Sequence, residues 1–194
     1  MQKYIMVLLF VNIPNLLSIS RIPVVFIIVR LMDCGSVLTA QWAFGLYVAS
    51  ALTDWLDGYL ARKWQQITDF GKFIDALADK VLTSGLFVGL LSLGRLPDWG
   101  LYMVLLILTR EFMVTGLRLV AAGKGHIMPA EKLGKWKTAL QMITIGIYLC
   151  RDLNWAEAPL ATLTIAGDVA FAFAGLLTVI SGVSYFWKNR SLFA

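Results

Sequence analysis

Charged side chains are scarce in this sequence. Asp, Glu, Lys and Arg make up only 15% of the residues, 59% are apolar, and the mean hydropathy is +0.74. Soluble domains carry about 25% charged residues, so the scarcity excludes an ordinary soluble domain and indicates a protein that spans a membrane several times. A spanning helix needs about 20 residues. The 194 residues therefore leave room for about six spans in a single domain that covers 1–194.

Cysteine and histidine are equally rare, which excludes several kinds of site. Cys34 and Cys150 are isolated, and the one histidine, His126, has no second histidine to pair with. A zinc site and a disulfide framework are therefore not expected. Lys and Arg outnumber Asp and Glu by 17 to 12, but no long basic run is interleaved with aromatics. We interpret the excess as charge that orients loops and binds anionic substrates, and expect no nucleic-acid partner.

Hydrophobic runs separated by turn-forming stretches predict six helices. The separating stretches are "DCGS", "QQITDFG", "GRLPDWG", "GKG" and "RDLNWAEAP". The sequence therefore predicts an all-α integral membrane protein, a bundle of six transmembrane helices. The predicted helices cover 13–32, 38–64, 72–93, 101–122, 130–149 and 160–187.

Basic residues predict how the bundle is oriented. They crowd the second and fourth connections and the tail, whereas the alternate loops hold only Arg95 and Arg151, with Arg30 just inside the first span. Basic loops stay in the cytoplasm, so both termini should be cytoplasmic. We expect a multi-pass membrane protein in which the aspartates of residues 54–79 lie near the cytoplasmic face.

Aspartates are concentrated around the second connection. Asp54 and Asp57 are three residues apart, and Asp75 and Asp79 are four apart, so each pair shares one helix face. A chain reversal between the helices would let the two faces meet, and four carboxylates would converge. Asp69 has no partner at helical spacing, so we place it in a solvated loop that ends at Gly71.

Such a cluster needs compensating positive charge. One Asp near the bilayer centre costs about 2.5–3.5 kcal/mol, and bound divalent cations would offset that cost. Ligation by oxygen alone suits Mg²⁺ or Mn²⁺, and two such ions about 3.5–4 Å apart are common in phosphoryl transfer. The competing interpretation is a set of solvated aspartates paired with nearby basic residues. Those residues are Arg62, Lys63, Lys72 and Lys80.

The same segment resembles the signature of the CDP-alcohol phosphotransferases at every fixed position. The resemblance implies the fold of that family, a bundle of six transmembrane helices with a polar cavity open to the cytoplasm, usually assembled as a homodimer. It also implies two divalent cations and transfer of a substituted phosphate from a CDP-linked donor to an alcohol, with release of CMP. The matching pattern is Asp54-x2-Asp57-Gly58-x2-Ala61-Arg62-x8-Gly71-x3-Asp75-x3-Asp79.

The resemblance also implies roles for individual residues. The metal ligands would be the four spaced aspartates, and Asp79 would in addition act as the general base. Small side chains at Gly58 and Ala61 would let a nucleotide approach the helix, and Arg62 would pair with a phosphate oxygen. The residues expected to bind the CDP-linked donor are Asn15, Asp57, Gly58, Ala61, Arg62 and Gly71, and Arg21 would border the same site.

A second group of charged residues bears on the acceptor. "TREFMVTGLRLVAAGKG" and "KLGKWKTALQM" bring basic groups into or beside apolar helices, which favours a second phosphate site. With "NIPNLLSISRIP", these stretches resemble the branch of the family that uses CDP-diacylglycerol and sn-glycerol 3-phosphate to form phosphatidylglycerophosphate and CMP. The resemblance implies that the acceptor phosphate is held by Arg110, Arg118, Lys135 and Lys137. Alternatively, these residues are ordinary interfacial anchors.

Two other functions stay open at this stage. The acceptor could be inositol phosphate, serine or phosphatidylglycerol in the same family. The protein could instead be a divalent-cation transporter, because acidic residues in spans mark ion paths. Against a transporter, the acids occupy one end of the membrane, and Gly58, Ala61 and Arg62 would have no role.

Overall fold

The computed structural model describes residues 13–64, 68–125, 128, 132–153 and 160–190, apart from five side chains: those of Trp55, Asp57, Ala61, Arg62 and Lys132. Within these ranges the chain forms six helices, in agreement with the predicted number, and no strand. They are α1 (Ile13–Asp33), α2 (Val37–Lys63), α3 (Asp69–Ser92), α4 (Gly100–Gly123), α5 (Lys132–Arg151) and α6 (Leu160–Lys188).

The prediction was wrong at the start of α3, which begins at Asp69 and not at Lys72. Thr68 caps the helix, because its Oγ1 accepts a hydrogen bond from the backbone N–H of Gly71 at 2.9 Å. The Asp69 carboxylate lies in the first turn, where the helix dipole favours negative charge, and accepts a hydrogen bond from Lys72 Nζ at 2.9 Å. Asp69 and Gly71 therefore belong to the helix, not to a loop.

Length and surface composition support a membrane protein. The shortest helix, α5, has 20 residues, and at about 1.5 Å per residue even this length reaches the roughly 30 Å of a hydrocarbon core. Among the described residues, α1 and α6 are long and apolar enough to cross a membrane by composition alone, with mean hydropathies of 1.7 and 2.0. Large apolar side chains also face outward, including Phe112 and Leu119, both 75% exposed. An aqueous surface rarely carries so much apolar area.

The described residues divide into two compact units. The first contains α1, α2 and α3 as far as Gly89, and the second contains the end of α3 with α4, α5 and α6. In the first unit α1 packs along α2, and in the second α6 packs against both α4 and α5.

In the first unit, the buried face of α1 changes character along its length. Near the N-terminal end it is polar, with Asn15, Ser18 and Arg21 buried, and further on it becomes apolar through Val25, Ile28 and Met32. At the apolar end, glycines of α3 let α3 approach α1 closely. A Cβ at Gly85 would lie 2.6 Å from Val25 Cγ1, and one at Gly89 would lie 2.5 Å from Val29 Cγ2.

In the second unit, α6 uses glycine in the same way. A Cβ at Gly167 would lie 2.9 Å from the ring of Tyr148, and one at Gly182 would lie 3.0 Å from Arg110 Cγ. Tyr148 donates a hydrogen bond to Asp168 Oδ1 at 2.7 Å, which joins α5 to α6. Because Gly182 has no side chain, Arg110 of α4 packs directly against the backbone of α6.

Candidate active site

The first unit contains a buried arginine between two acids. The Arg21 side chain of α1 is only 1% exposed, and its Nη1 donates to Asp54 Oδ1 on α2. Its Nη2 donates to Asp75 Oδ1 on α3 at 2.7 Å. Asp54 and Asp75 are 46% and 52% exposed. One guanidinium therefore joins three helices and brings together two of the aspartates picked out by their spacing.

The structure shows fewer contacts for the other two aspartates, Asp79 and Asp57. Asp79 lies one turn beyond Asp75 on α3 and is half-buried, and its backbone carbonyl accepts a hydrogen bond from Thr83 Oγ1 at 3.0 Å. The backbone of Asp57 lies in α2, but its side chain is outside the described part of the structure. No three acidic, histidine or cysteine side chains within that part are grouped closely enough to hold a metal ion. The four-aspartate ligand set stays a prediction.

The chemistry of the two paired acids fits a hard divalent cation. Asp54 and Asp75 offer carboxylate oxygens from two helices, and a positively charged group already bridges one oxygen of each. Oxygen ligands of this kind are those that Mg²⁺ and Mn²⁺ prefer. Because both side chains are about half-exposed, a cation has access to them from outside the helix core.

Two of the residues predicted to bind the CDP-linked donor are in close contact near the start of α3. Asn15 is 3% exposed, and its Nδ2 donates to Thr68 Oγ1 at 3.4 Å. A Cβ on Gly71 would overlap the Asn15 amide and lie 3.0 Å from Thr68 Oγ1. Gly71 is therefore required for Asn15 to sit against the first turn of α3, and these two predicted donor residues lie side by side.

The remaining residues predicted to bind the CDP-linked donor lie on α2. Gly58 and Ala61 are three positions apart in this helix, so they fall on one face, and Arg62 follows. The side chains of Ala61 and Arg62 are outside the described part of the structure. Their roles toward the nucleotide stay predictions.

The second unit contains a buried charged cluster around Glu111 of α4. Glu111 Oε1 accepts hydrogen bonds from Lys137 Nζ of α5 and from Arg110 Nη1, the latter at 3.2 Å. Lys137 is 3% exposed, and Arg110 and Glu111 are each 12% exposed. Two basic groups facing one acid leave the cluster with an excess of positive charge.

Arg110 lies in a narrow space lined by two glycines. A Cβ at Gly134 of α5 would lie 3.7 Å from Arg110 Nη2, and one at Gly182 of α6 would lie 3.0 Å from its Cγ. The Nε of Arg110 is buried and has no hydrogen-bond partner among the described residues. A buried N–H without an acceptor costs about 1–3 kcal/mol, so the space around Arg110 favours an additional oxygen acceptor.

The other two predicted phosphate residues are not among the basic partners of Glu111. Arg118 Nε donates to the hydroxyl oxygen of Tyr185 at 2.9 Å, and its guanidinium lies 5.4 Å from the centre of that ring. Lys135 is exposed on α5. Within the described residues, Arg110 and Lys137 therefore share one acid, Glu111. Tyr185 belongs to a small apolar core with Val114 and Leu117, which lie further along α4.

Sequence reasoning placed Arg21 at the border of the donor site but did not predict its contacts with the two acids, and it gave Glu111 and Tyr185 no role. Arg21 interrupts an apolar span, which by itself is a signal of function. Glu111 is the single acid of α4, so its isolation was also visible. Tyr185 had no such signal, because an aromatic residue in an apolar helix is ordinary.

Comparison with known proteins identifies the family of this chain. Residues 11–180 match the family model for CDP-alcohol phosphatidyltransferase. The chain is 40% identical over 190 residues to the CDP-diacylglycerol–glycerol-3-phosphate 3-phosphatidyltransferase of Bacillus subtilis, covering 92% of this chain and 95% of that protein. It is 36% identical over 182 residues to the protein of the same name in Rickettsia typhi, covering 94% and 99%.

A protein of Mycobacterium tuberculosis named probable phosphatidylglycerophosphate synthase is 38% identical over 178 residues, covering 90% of this chain and 79% of its own length. The region that matches the family model, 11–180, includes all six helices apart from residues 181–188 of α6. A family model that spans most of the chain, and relatives that align over nearly their whole length, leave one conclusion. The chain belongs to the CDP-alcohol phosphatidyltransferase family.

Proposed function

We propose that this protein transfers the phosphatidyl group of CDP-diacylglycerol to sn-glycerol 3-phosphate, giving phosphatidylglycerophosphate and CMP. The observation that carries the proposal is the alignment, over 92% of this chain at 40% identity, with an enzyme named for this reaction. Two further relatives with the same name, at 36% identity, support it. Family membership leaves the cation-transporter interpretation without support.

The cation site belongs to the same proposal. The family is generally dependent on divalent cations, and we assign two ions, Mg²⁺ or Mn²⁺, to Asp54, Asp57, Asp75 and Asp79. When bound, such ions polarise a diphosphate and offset the negative charge on departing CMP. The pairing of Asp54 and Asp75 through a cationic side chain supports this assignment. The nucleotide and diphosphate of the donor are assigned to Asn15, Asp57, Gly58, Ala61, Arg62 and Gly71.

Asp79 is assigned the proton transfer. The primary hydroxyl of sn-glycerol 3-phosphate gives its proton to the Asp79 carboxylate as its oxygen attacks the β-phosphorus of the donor. The bond from that phosphorus to the oxygen of the CMP group breaks, and CMP leaves. A general base of this kind contributes about 10²- to 10⁴-fold to the rate.

The acceptor phosphate is assigned to Arg110, Arg118, Lys135 and Lys137. Arg110 and Lys137 are buried beside each other, and the unsatisfied Arg110 Nε supports binding of an additional anionic oxygen. Glu111 neutralises part of their charge and orients both groups, which keeps them in place before the acceptor arrives. An acceptor that carries a phosphate fits this excess of positive charge better than a neutral alcohol does.

The proposal extends to the membrane. Helices of 20 to 29 residues are long enough for six spans, and the basic connections favour cytoplasmic termini and a cytoplasmic site. We assign the chain to the bacterial plasma membrane as one functional domain, 1–194, that acts as a homodimer in contact with membrane lipid.

A CMP-release assay tests the reaction. Purified protein is mixed with CDP-diacylglycerol, Mg²⁺ or Mn²⁺, and each of sn-glycerol 3-phosphate, inositol phosphate, serine and phosphatidylglycerol. We expect CMP only when donor, acceptor and cation are all present, with sn-glycerol 3-phosphate the best acceptor and chelator abolishing the reaction. Folded protein that releases no CMP would refute the proposal, and a faster reaction with serine would refute the assigned phosphate site.

A further inference from the structure

Arg21 contacts its two acids from the buried side. Its side chain is 1% exposed, whereas those of Asp54 and Asp75 are 46% and 52% exposed. In these contacts the guanidinium binds one oxygen, Oδ1, of each acid. Each carboxylate is therefore anchored on its inner side while about half of it faces outward.

The shape of the guanidinium makes this anchoring directional. Arginine is planar and presents its N–H groups in a rigid fork, whereas a lysine ammonium is a point charge on a flexible stem. Two nitrogens of the fork each hold one carboxylate, one from α2 and one from α3. Two like-charged groups that would otherwise repel are thereby fixed in distance and orientation.

We infer that Arg21 is a positioning residue for the cation site: from the buried side it holds Asp54 and Asp75 in the orientation in which their outward parts bind a divalent cation. This rests on the proposed function, which assigns the two acids to that site. Carboxylates that bind metals are generally oriented by hydrogen bonds from an outer group, and loss of such a group typically weakens metal binding about 10- to 100-fold.

The positive charge of Arg21 acts in the opposite direction, because it repels a cation. The two effects predict opposite results when Arg21 is replaced. If positioning dominates, binding weakens, and if repulsion dominates, binding strengthens. The single charge of Arg21 is already shared between two carboxylates, so repulsion is partly cancelled and positioning is expected to dominate.

Mn²⁺ binding to substrate-free protein in detergent micelles tests this inference, with free Mn²⁺ measured by electron paramagnetic resonance. The variants are Arg21→Gln, which removes the charge, and Arg21→Lys, which keeps the charge but loses the fork. The matched control is Arg30→Gln, since Arg30 lies on the same helix and pairs with Asp33 but is 71% exposed. We expect both Arg21 variants to bind Mn²⁺ about 10- to 100-fold more weakly than wild type, and the control to bind normally.

Thermal unfolding of each variant separates positioning from a purely structural role. A folded Arg21 variant that binds Mn²⁺ as well as wild type, or more tightly, overturns the inference even if its unfolding midpoint is lower. If Arg21→Gln does not fold, Arg21→Lys, which retains the buried charge, decides the question alone. Wild-type protein that binds no Mn²⁺ refutes the cation site itself, whereas normal wild-type binding with unaffected variants refutes only the role of Arg21.

Discussion

At the residue scale, the chemistry of this protein depends on charges buried beside their partners. Arg21 bridges Asp54 and Asp75, and Glu111 binds Arg110 and Lys137. Removing Asp54 or Glu111 leaves a basic side chain, Arg21 or Lys137, buried with less compensation, which is costly in a low-dielectric interior. Both groups therefore resist substitution for structural reasons, and activity alone cannot identify which residue takes part in the reaction.

Asp79 offers a second test, because Asn has the same shape but can neither accept the proton nor supply a carboxylate to the cations. We predict that Asp79→Asn folds with an unchanged unfolding midpoint and releases CMP about 10²- to 10⁴-fold more slowly. The control is Asp69→Asn, on the same helix, since the side chain of Asp69 is 99% exposed and pairs with Lys72. The control should keep wild-type activity. An Asp79→Asn protein that retains full activity would exclude Asp79 as the base.

The sequence predicted which residues share a helix face better than it predicted which contacts form between helices. The spacing of Asp54, Asp57, Asp75 and Asp79 gives their helix faces, because residues three or four apart lie on one face. Spacing along one helix does not give contacts between helices. The bridge from Arg21 and the link between Glu111 and Lys137 depend on how α1 packs on α2 and α3, and on how α4 packs with α5, and only the structure shows them.

At the element scale, the helices follow from the apolar runs, and a threonine cap sets where α3 begins. All six predicted segments are helical in the described ranges because each run is long and ends at Gly, Pro or polar residues. The start of α3 was misplaced because a glycine at position 71 reads as a turn. In the structure that glycine serves packing instead, since it admits the Asn15 side chain.

Gly71→Ala tests this close contact. The new Cβ would overlap the Asn15 amide, and overpacking of this kind costs about 1–3 kcal/mol. We expect a lower thermal unfolding midpoint and reduced activity. Adding Asn15→Ala removes the overlapping amide, so the double variant should be less destabilised than the sum of the two single changes, as a double-mutant cycle would measure.

Gly116→Ala is the matched control for this substitution. Gly116 lies inside α4, and apart from its own helix backbone a Cβ there would have no described heavy atom within 4 Å. Alanine favours a helix over glycine by about 1 kcal/mol, so this variant should be as stable as wild type or slightly more so. If Gly71→Ala behaves like Gly116→Ala, the contact with Asn15 does not constrain the start of α3.

At the scale of the whole molecule, the outward apolar surface and the basic connections have to be explained together. Exposed residues such as Phe26, Phe112 and Leu119 need lipid around them. The proposed topology puts the basic residues of the second and fourth connections and the tail in the cytoplasm. In this arrangement the connection between α1 and α2 faces the other side of the membrane, while Asp69 at the start of α3 faces the cytoplasm.

Cys34 makes this orientation measurable. It follows α1 directly and is exposed, so in a Cys150→Ser background it is the single thiol of the chain. A maleimide that cannot cross membranes should label it in intact spheroplasts, because the proposed topology places it outside. In a second protein, with both cysteines replaced by Ser and Asp69→Cys introduced, labelling should require permeabilised cells. The reverse pattern would invert the topology and refute the cytoplasmic position proposed for the aspartates.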